Sequence, residues 1–162
     1  SAEALARLEQ EVAEIRARME EITGKKEKKE PVFDPSGFGR PVSGRIIRGP
    51  GWMRMGNEWR FHSGVDFYLP KDSSVLASAD GVVSEVGMDP LLGMVVCVDH
   101  GAGWKSIYGH LGGVNVSLNQ EVKKGVILGL SSESSCGPEP GFHFVLQYQG
   151  RSIDPRTIIQ GL

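Results

Sequence analysis

Apolar residues open the chain at Leu5, Leu8, Val12, Ile15, Met19 and Ile22, with spacings that alternate between three and four. That is a heptad stripe, and it predicts an amphipathic helix over residues 1–23 with Leu5, Val12 and Met19 at a and Leu8, Ile15 and Ile22 at d. In this frame Glu11 occupies g and Arg16 the following e, so their charges would attract across a parallel helix pair. Three heptads approach the minimum for a coiled coil, and self-association through residues 5–22 is the expectation. The alternative is one helix packed on its own domain. Gly24 suits a helix C-cap. The charged block Lys25–Glu30 that follows reads as solvated, which predicts a linker over 24–38.

Beyond it the period changes. Short β-branched runs at 75–86, 94–98, 105–108, 114–116, 122–130 and 142–148 are separated by Gly, Asp-Gly, Asn or Pro. This pattern predicts an antiparallel β-sheet or sandwich-like domain over 39–162. No helical stretch of ten residues intervenes, which argues against a parallel βαβ architecture. The fold class is therefore mainly β, with an N-terminal α-helical, coiled-coil segment.

Composition supports the division. Of 22 glycines in 162 residues, only Gly24 precedes Pro31, so the tight turns belong to the β part. Lysine plus arginine total 18 against 20 aspartates and glutamates, a net charge of −2. No basic face is available, and a nucleic-acid partner is not expected. No run of about 18 apolar residues predicts a membrane-spanning helix. The chain begins at Ser1, which leaves an anchor or signal upstream open. Two cysteines, Cys97 and Cys136, are too few for a disulfide framework, and neither forms a CxxC pair.

Four histidines carry the candidate chemistry: His62, His100, His110 and His143. His62-Ser63-Gly64-Val65-Asp66 places a histidine and an aspartate four apart, on one face if the segment is extended or bulged, so that both can reach one ion. His143 lies between Phe142 and Phe144, which would face the other way on a strand. Two imidazoles and a carboxylate make a usual catalytic zinc set with one open position. Such a zinc activates water and polarises a carbonyl, as amide hydrolysis requires. Spacing alone also allows each histidine to be an ordinary core or surface residue.

Taken in order, several stretches resemble the lysostaphin/LytM-type zinc endopeptidases of bacterial cell walls, the duplicated hybrid motif. His62-Ser63-Gly64-Val65-Asp66-Phe67 resembles the HxGxD signature, and Val75–Val83 the strand–turn–strand after it. Gly93–His100, Tyr108-Gly109-His110-Leu111, Val122–Gly129 and Asp154-Pro155 continue the match, over about residues 40–157. The resemblance implies one zinc ion (Zn2+) held by His62, Asp66 and His143. It also implies that His110 faces the reacting water or oxyanion as general base or stabiliser. His100 matches a strand-end histidine, read as structural or rim rather than as a ligand.

One stretch departs. The family's "sTGpHLHF" stands here as Ser135-Cys136-Gly137-Pro138-Glu139-Pro140-Gly141-Phe142-His143-Phe144. Anchored on His143, the first histidine of HxH becomes Gly141, and two residues are inserted before it. The family's second catalytic imidazole is thereby missing, and loss of a general base costs about 10²- to 10⁴-fold. Glu139 is the nearby carboxylate that could substitute as base. Cys97 reads as a small buried residue. A thiolate ligand from Cys136 and a Cys97–Cys136 bridge are lesser readings. Tyr108, Trp52 and Trp59 are candidates to line a substrate groove, with plain packing the alternative.

The leading expectation is an extracytoplasmic zinc-binding domain with impaired catalysis, presented on a self-associating helix. It would act as a peptidoglycan-associated scaffold or regulator, with peptidoglycan peptides or an envelope protein as partner. The alternative is an active endopeptidase that cuts peptidoglycan cross-links. A biotinyl- or lipoyl-like carrier shares the Gly-turn texture, but Val122-Lys123-Lys124-Gly125 is its only approach to a modified hairpin tip.

Overall fold

The computed structural model describes residues 1–23, 33–137 and 140–162. These form two units, each described by itself. The first is helix α1 (Ala2–Thr23), where the heptad stripe placed it. Leu5, Leu8, Val12, Ile15 and Met19 are all exposed along it. Among the described residues no helix is long and apolar enough to cross a membrane.

The second unit is built of short strands: β1 (Ile46–Arg48), β2 (Gly51–Met55), β3 (Glu58–His62), β4 (Val65–Tyr68), β5 (Ser74–Leu76) and β6 (Gly81–Asp89). They continue with β7 (Gly93–Gly101), β8 (Trp104–Val114), β9 (Glu121–Val122), β10 (Ile127–Ser131), β11 (Gly141–Tyr148) and β12 (Arg151–Ile153). The strand pairings are antiparallel throughout. One ten-stranded sheet runs β1-β4-β11-β8-β7-β6-β9, with β10 bridging β8 and β5 and with β12 on β11. Strands β2 and β3 form a separate hairpin. The mainly β, antiparallel expectation is thus met.

Phe67, Tyr108, Phe142 and Phe144 are fully buried and form the aromatic centre of the core. Tyr108 lies 5.4 Å from Phe144 and 6.2 Å from Phe142 between ring centroids. Each such side chain stabilises the fold by about 1.5–3 kcal/mol relative to its exposed state. Because successive strand residues point to opposite faces, the phenylalanines on β11 seal the core while His143 faces away from them. This fixes which face of the sheet can carry chemistry.

Two expectations need correction here. The predicted linker 24–38 extends too far. Phe38 is buried in the core, and Phe33 packs against it at 5.0 Å. Asp34 caps the short 3-10 turn Pro35–Gly37, accepting from Ser36 N at 3.0 Å. Residues 33–38 therefore belong to the β domain, because two aromatic rings find the core just after the charged run. Residues 24–32 lie outside those described. The second correction concerns Tyr108. Its ring is wholly inaccessible and its hydroxyl accepts from Ser78 N at 2.9 Å, so it cannot line a groove.

Candidate metal centre

Strand register brings the candidate residues together. His143 on β11 pairs directly with Asp66 on β4 and with Gly109 on β8. His143 Nδ1 and Asp66 Oδ1 are 2.7 Å apart, both groups buried. His62 ends β3, and its Nε2 lies 3.2 Å from Asp66 Oδ2. The two are four apart in sequence and reach one place, as the spacing suggested, with the break between β3 and β4 lying between them. Gly64 turns the chain between β3 and β4 at φ +77°, pressed onto the Phe144 carbonyl so tightly that a Cβ would collide with it. The glycine of the His-Ser-Gly-Val-Asp stretch is what lets His62 fold back over Asp66.

His110 reaches the same place by a different device. The β7–β8 register slips between Met94 and Val96, where Leu111 and Tyr108 are the respective partners. His110 itself has φ +58°, a left-handed conformation uncommon outside glycine. Bulges of this kind re-aim side chains beside functional sites. The strained residue is held by Leu92 O, which accepts from its N–H at 2.6 Å, and by Ser132 N and Oγ, which donate to its carbonyl. Its ring lies 6.3 Å from that of His143, and Nε2 is 3.3 Å from Cys136 Sγ.

The donor atoms of His62, Asp66, Cys136 and His143 all lie within 4.8 Å of one another. His62 Nδ1 donates to the Gly49 carbonyl at 3.0 Å, since a carbonyl can only accept. That bond leaves Nε2 as the free ring nitrogen. Nε2 is buried, and although Asp66 is near, it makes no hydrogen bond of proper geometry. An orphaned buried imidazole nitrogen amid carboxylate, imidazole and thiol donors fits a borderline-soft cation such as zinc. The backbone carbonyl behind His62 is the usual outer support for a metal-ligating ring.

Electrostatics agree with a site built around a cation. Burial would raise the Asp66 pKa, but His143, His62 and Arg48 outweigh it and hold the carboxyl well below its ordinary range. Arg48 Nε donates to Asp66 Oδ2 at 2.8 Å. Burial would lower the His62 pKa, yet Asp66, Cys136 and the Gly49 carbonyl push it up to about 10. His143 is raised against its burial by Asp66 and Cys136. The Cys136 thiol, raised by burial, is brought down to about 5 by His110, His143 and His62. A metal entering here must displace these protons, so binding is coupled to proton release.

The remaining candidates separate cleanly. His100 lies elsewhere: Nδ1 donates to Asp80 O at 2.6 Å, and Nε2 is 2.7 Å from Ser106 Oγ. That is the structural role expected of it. Cys97 is buried and both cysteines are free, so the bridge is absent. Trp52 and Trp59 stand exposed on the β2–β3 hairpin that ends in His62. Trp52 packs edge-on against Phe61 at 5.6 Å. Gly141 opens β11 two residues before His143, on the same face of the strand. Glu139 lies outside the described residues. Sequence reasoning missed Arg48, whose signal was no more than one of two arginines flanking the short apolar run Ile46-Ile47.

Comparison with known proteins places this arrangement in a family. Residues 60–155 match Peptidase family M23, and the chain belongs to that family, which includes the lysostaphin/LytM-type peptidases. The cell division protein DipM of Caulobacter vibrioides is 32% identical over 129 residues, covering 75% of this chain and 21% of DipM. The peptidoglycan DD-endopeptidase ShyA of Vibrio cholerae is 33% identical over 93 residues, covering 57% of this chain and 22% of ShyA. The chain thus spans about a fifth of the length of these relatives. Among solved structures, a zinc-containing peptidase from Vibrio cholerae superposes with a TM-score of 0.66 at 27% identity, covering 73% of this chain and 39% of that one.

Proposed function

We propose that this is an extracytoplasmic M23 domain that holds one zinc ion through His62, Asp66 and His143 and is impaired in hydrolysis. It serves as a peptidoglycan-associated scaffold or regulator, in division, sporulation or amidase control. Bound there, zinc would supply Lewis acidity toward a peptide carbonyl. The observation that carries the impaired reading is a count. The chain has four histidines, and two are spent as ligands. His100 is locked between Asp80 and Ser106. Of the four histidines only His110 is left to move a proton, and the neighbouring strand position on the site face is Gly141. Without a second imidazole one acid–base group beside the metal is lost, which costs about 10²- to 10⁴-fold.

The second reading, a working endopeptidase, draws on His110, whose left-handed backbone is held in place by three hydrogen bonds beside the site. Strain of this kind clusters at functional positions. Digestion of cross-linked peptidoglycan by the zinc-loaded protein separates the two. No release of cross-link products is expected from the wild type. Cleavage by the wild type that is abolished in His110→Ala would establish the enzyme and end the impaired reading.

The exposed stripe of α1 supports self-association as the mode of presentation. Sedimentation of the chain with and without residues 1–23 is expected to show an oligomer and a monomer. Monomers in both cases would remove the coiled coil.

A further inference from the structure

Cys136 is the one member of the four-donor cluster that the proposed zinc set does not use. It stands where the resembled family segment carries threonine, and it reaches the site from the loop between β10 and β11. The loop is braced from within: Ser135 Oγ donates to Gly137 O at 2.7 Å and accepts from Gly137 N at 3.1 Å. Gly137 also rests against the Arg48 guanidinium, where a Cβ would come within 2.5 Å of Nη2. Since Arg48 holds Asp66, the same cation that positions a ligand carboxylate also seats the cysteine loop.

We propose that the Cys136 thiolate is a fourth zinc ligand and closes the site as a centre of two histidines, one aspartate and one cysteine. The inference rests on the zinc reading above and says what fills the remaining position. Tetrahedral zinc with nitrogen or oxygen ligands at about 2.0–2.2 Å and sulfur at about 2.3 Å sets neighbouring donors roughly 3.3–3.6 Å apart. Cys136 Sγ lies 3.9 Å from His143 Nδ1, and all four donors fall within 4.8 Å, so small movements close the set. The buried Nε2 of His62, with no hydrogen bond of its own, belongs to the same cluster.

The consequence bears on the chemistry. A catalytic zinc keeps a position for water, whereas a four-ligand protein site is structural. With sulfur in that position, His110 Nε2 meets a thiolate at 3.3 Å instead of a reacting water. An imidazole at position 141 would then have no water to orient. Glycine at 141 and cysteine at 136 become two parts of one change, from an open site to a closed one. Removal of the thiolate would reopen it.

Zinc K-edge absorption spectroscopy on the full chain, with metal stoichiometry measured alongside, tests this. The expected result is one zinc per chain with one sulfur scatterer at about 2.3 Å, which disappears in Cys136→Ser while zinc remains bound. Zinc affinity in that variant should fall by at least about 10- to 100-fold, the loss seen when even an outer partner is removed. A Cys97→Ser control should leave the sulfur signal unchanged. One zinc in an all-nitrogen-and-oxygen shell in the wild type would overturn the thiolate and leave the zinc reading standing. No zinc at all would overturn both. If Cys136→Ser fails to fold, the wild-type spectrum and protection of Cys136 from alkylation by added zinc decide. Equal alkylation with and without zinc would count against the ligand.

Discussion

Tyr108→Phe removes a single oxygen from the centre of the β domain. That oxygen accepts from Ser78 N at 2.9 Å and lies 2.8 Å from Ser106 Oγ, in a region with no access to water. Phenylalanine keeps the ring and its packing against Phe144, so the hydrophobic contribution barely changes. What changes is that the Ser78 N–H is left buried without an acceptor, while Ser106 keeps His100 as a partner. One stranded donor of this kind costs about 1–3 kcal/mol. At about 4 °C per kcal/mol for a domain of this size, the Tm should fall by about 4–12 °C. Calorimetry of the two proteins, with zinc affinity measured in parallel, provides the assay. An unchanged Tm together with weakened peptidoglycan binding would refute the core assignment and return Tyr108 to a groove.

Two further outcomes follow from the same geometry. Burial pushes the His100 pKa below its ordinary 6.5, so the unfolded chain takes up this proton more readily than the folded one. Its contribution is therefore full above pH 6.5 and is lost as the pH falls below that value. The stability gap between wild type and His100→Gln, read from urea midpoints, should narrow from about pH 8 to about pH 5; a constant gap contradicts this. Gly64→Ala forces a Cβ into the Phe144 carbonyl at φ +77°, and the left-handed backbone alone costs about 1–2 kcal/mol. Loss of both stability and zinc binding is expected, and a variant that melts like the wild type would show that the turn tolerates a side chain.

The sheet was legible because β-branched runs and glycine turns keep a period of two, and that signal is local. The heptad stripe was legible for the same reason. Phe33 and Phe38 were hidden by the charged run before them, since composition averages over a window and core membership does not. At the site, His62 and Asp66 were found through a spacing of four, and the Gly64 turn between β3 and β4 is what brings them together. His110 arrives through a register slip, which no residue pattern announces beyond the adjacent Gly109. Arg48 and Cys136 depend on where a strand end and a loop return in three dimensions. Neither has a spacing signature, and the cysteine's weight comes from where its loop sets it among His62, Asp66, His110 and His143.

The central claim is that His62, Asp66 and His143 hold a metal. Elemental analysis of the purified wild type and of His62→Ala is its most direct test. One zinc per chain in the wild type and substoichiometric zinc in the folded variant is the predicted result. No zinc in the wild type, or the same content in both proteins, would contradict it.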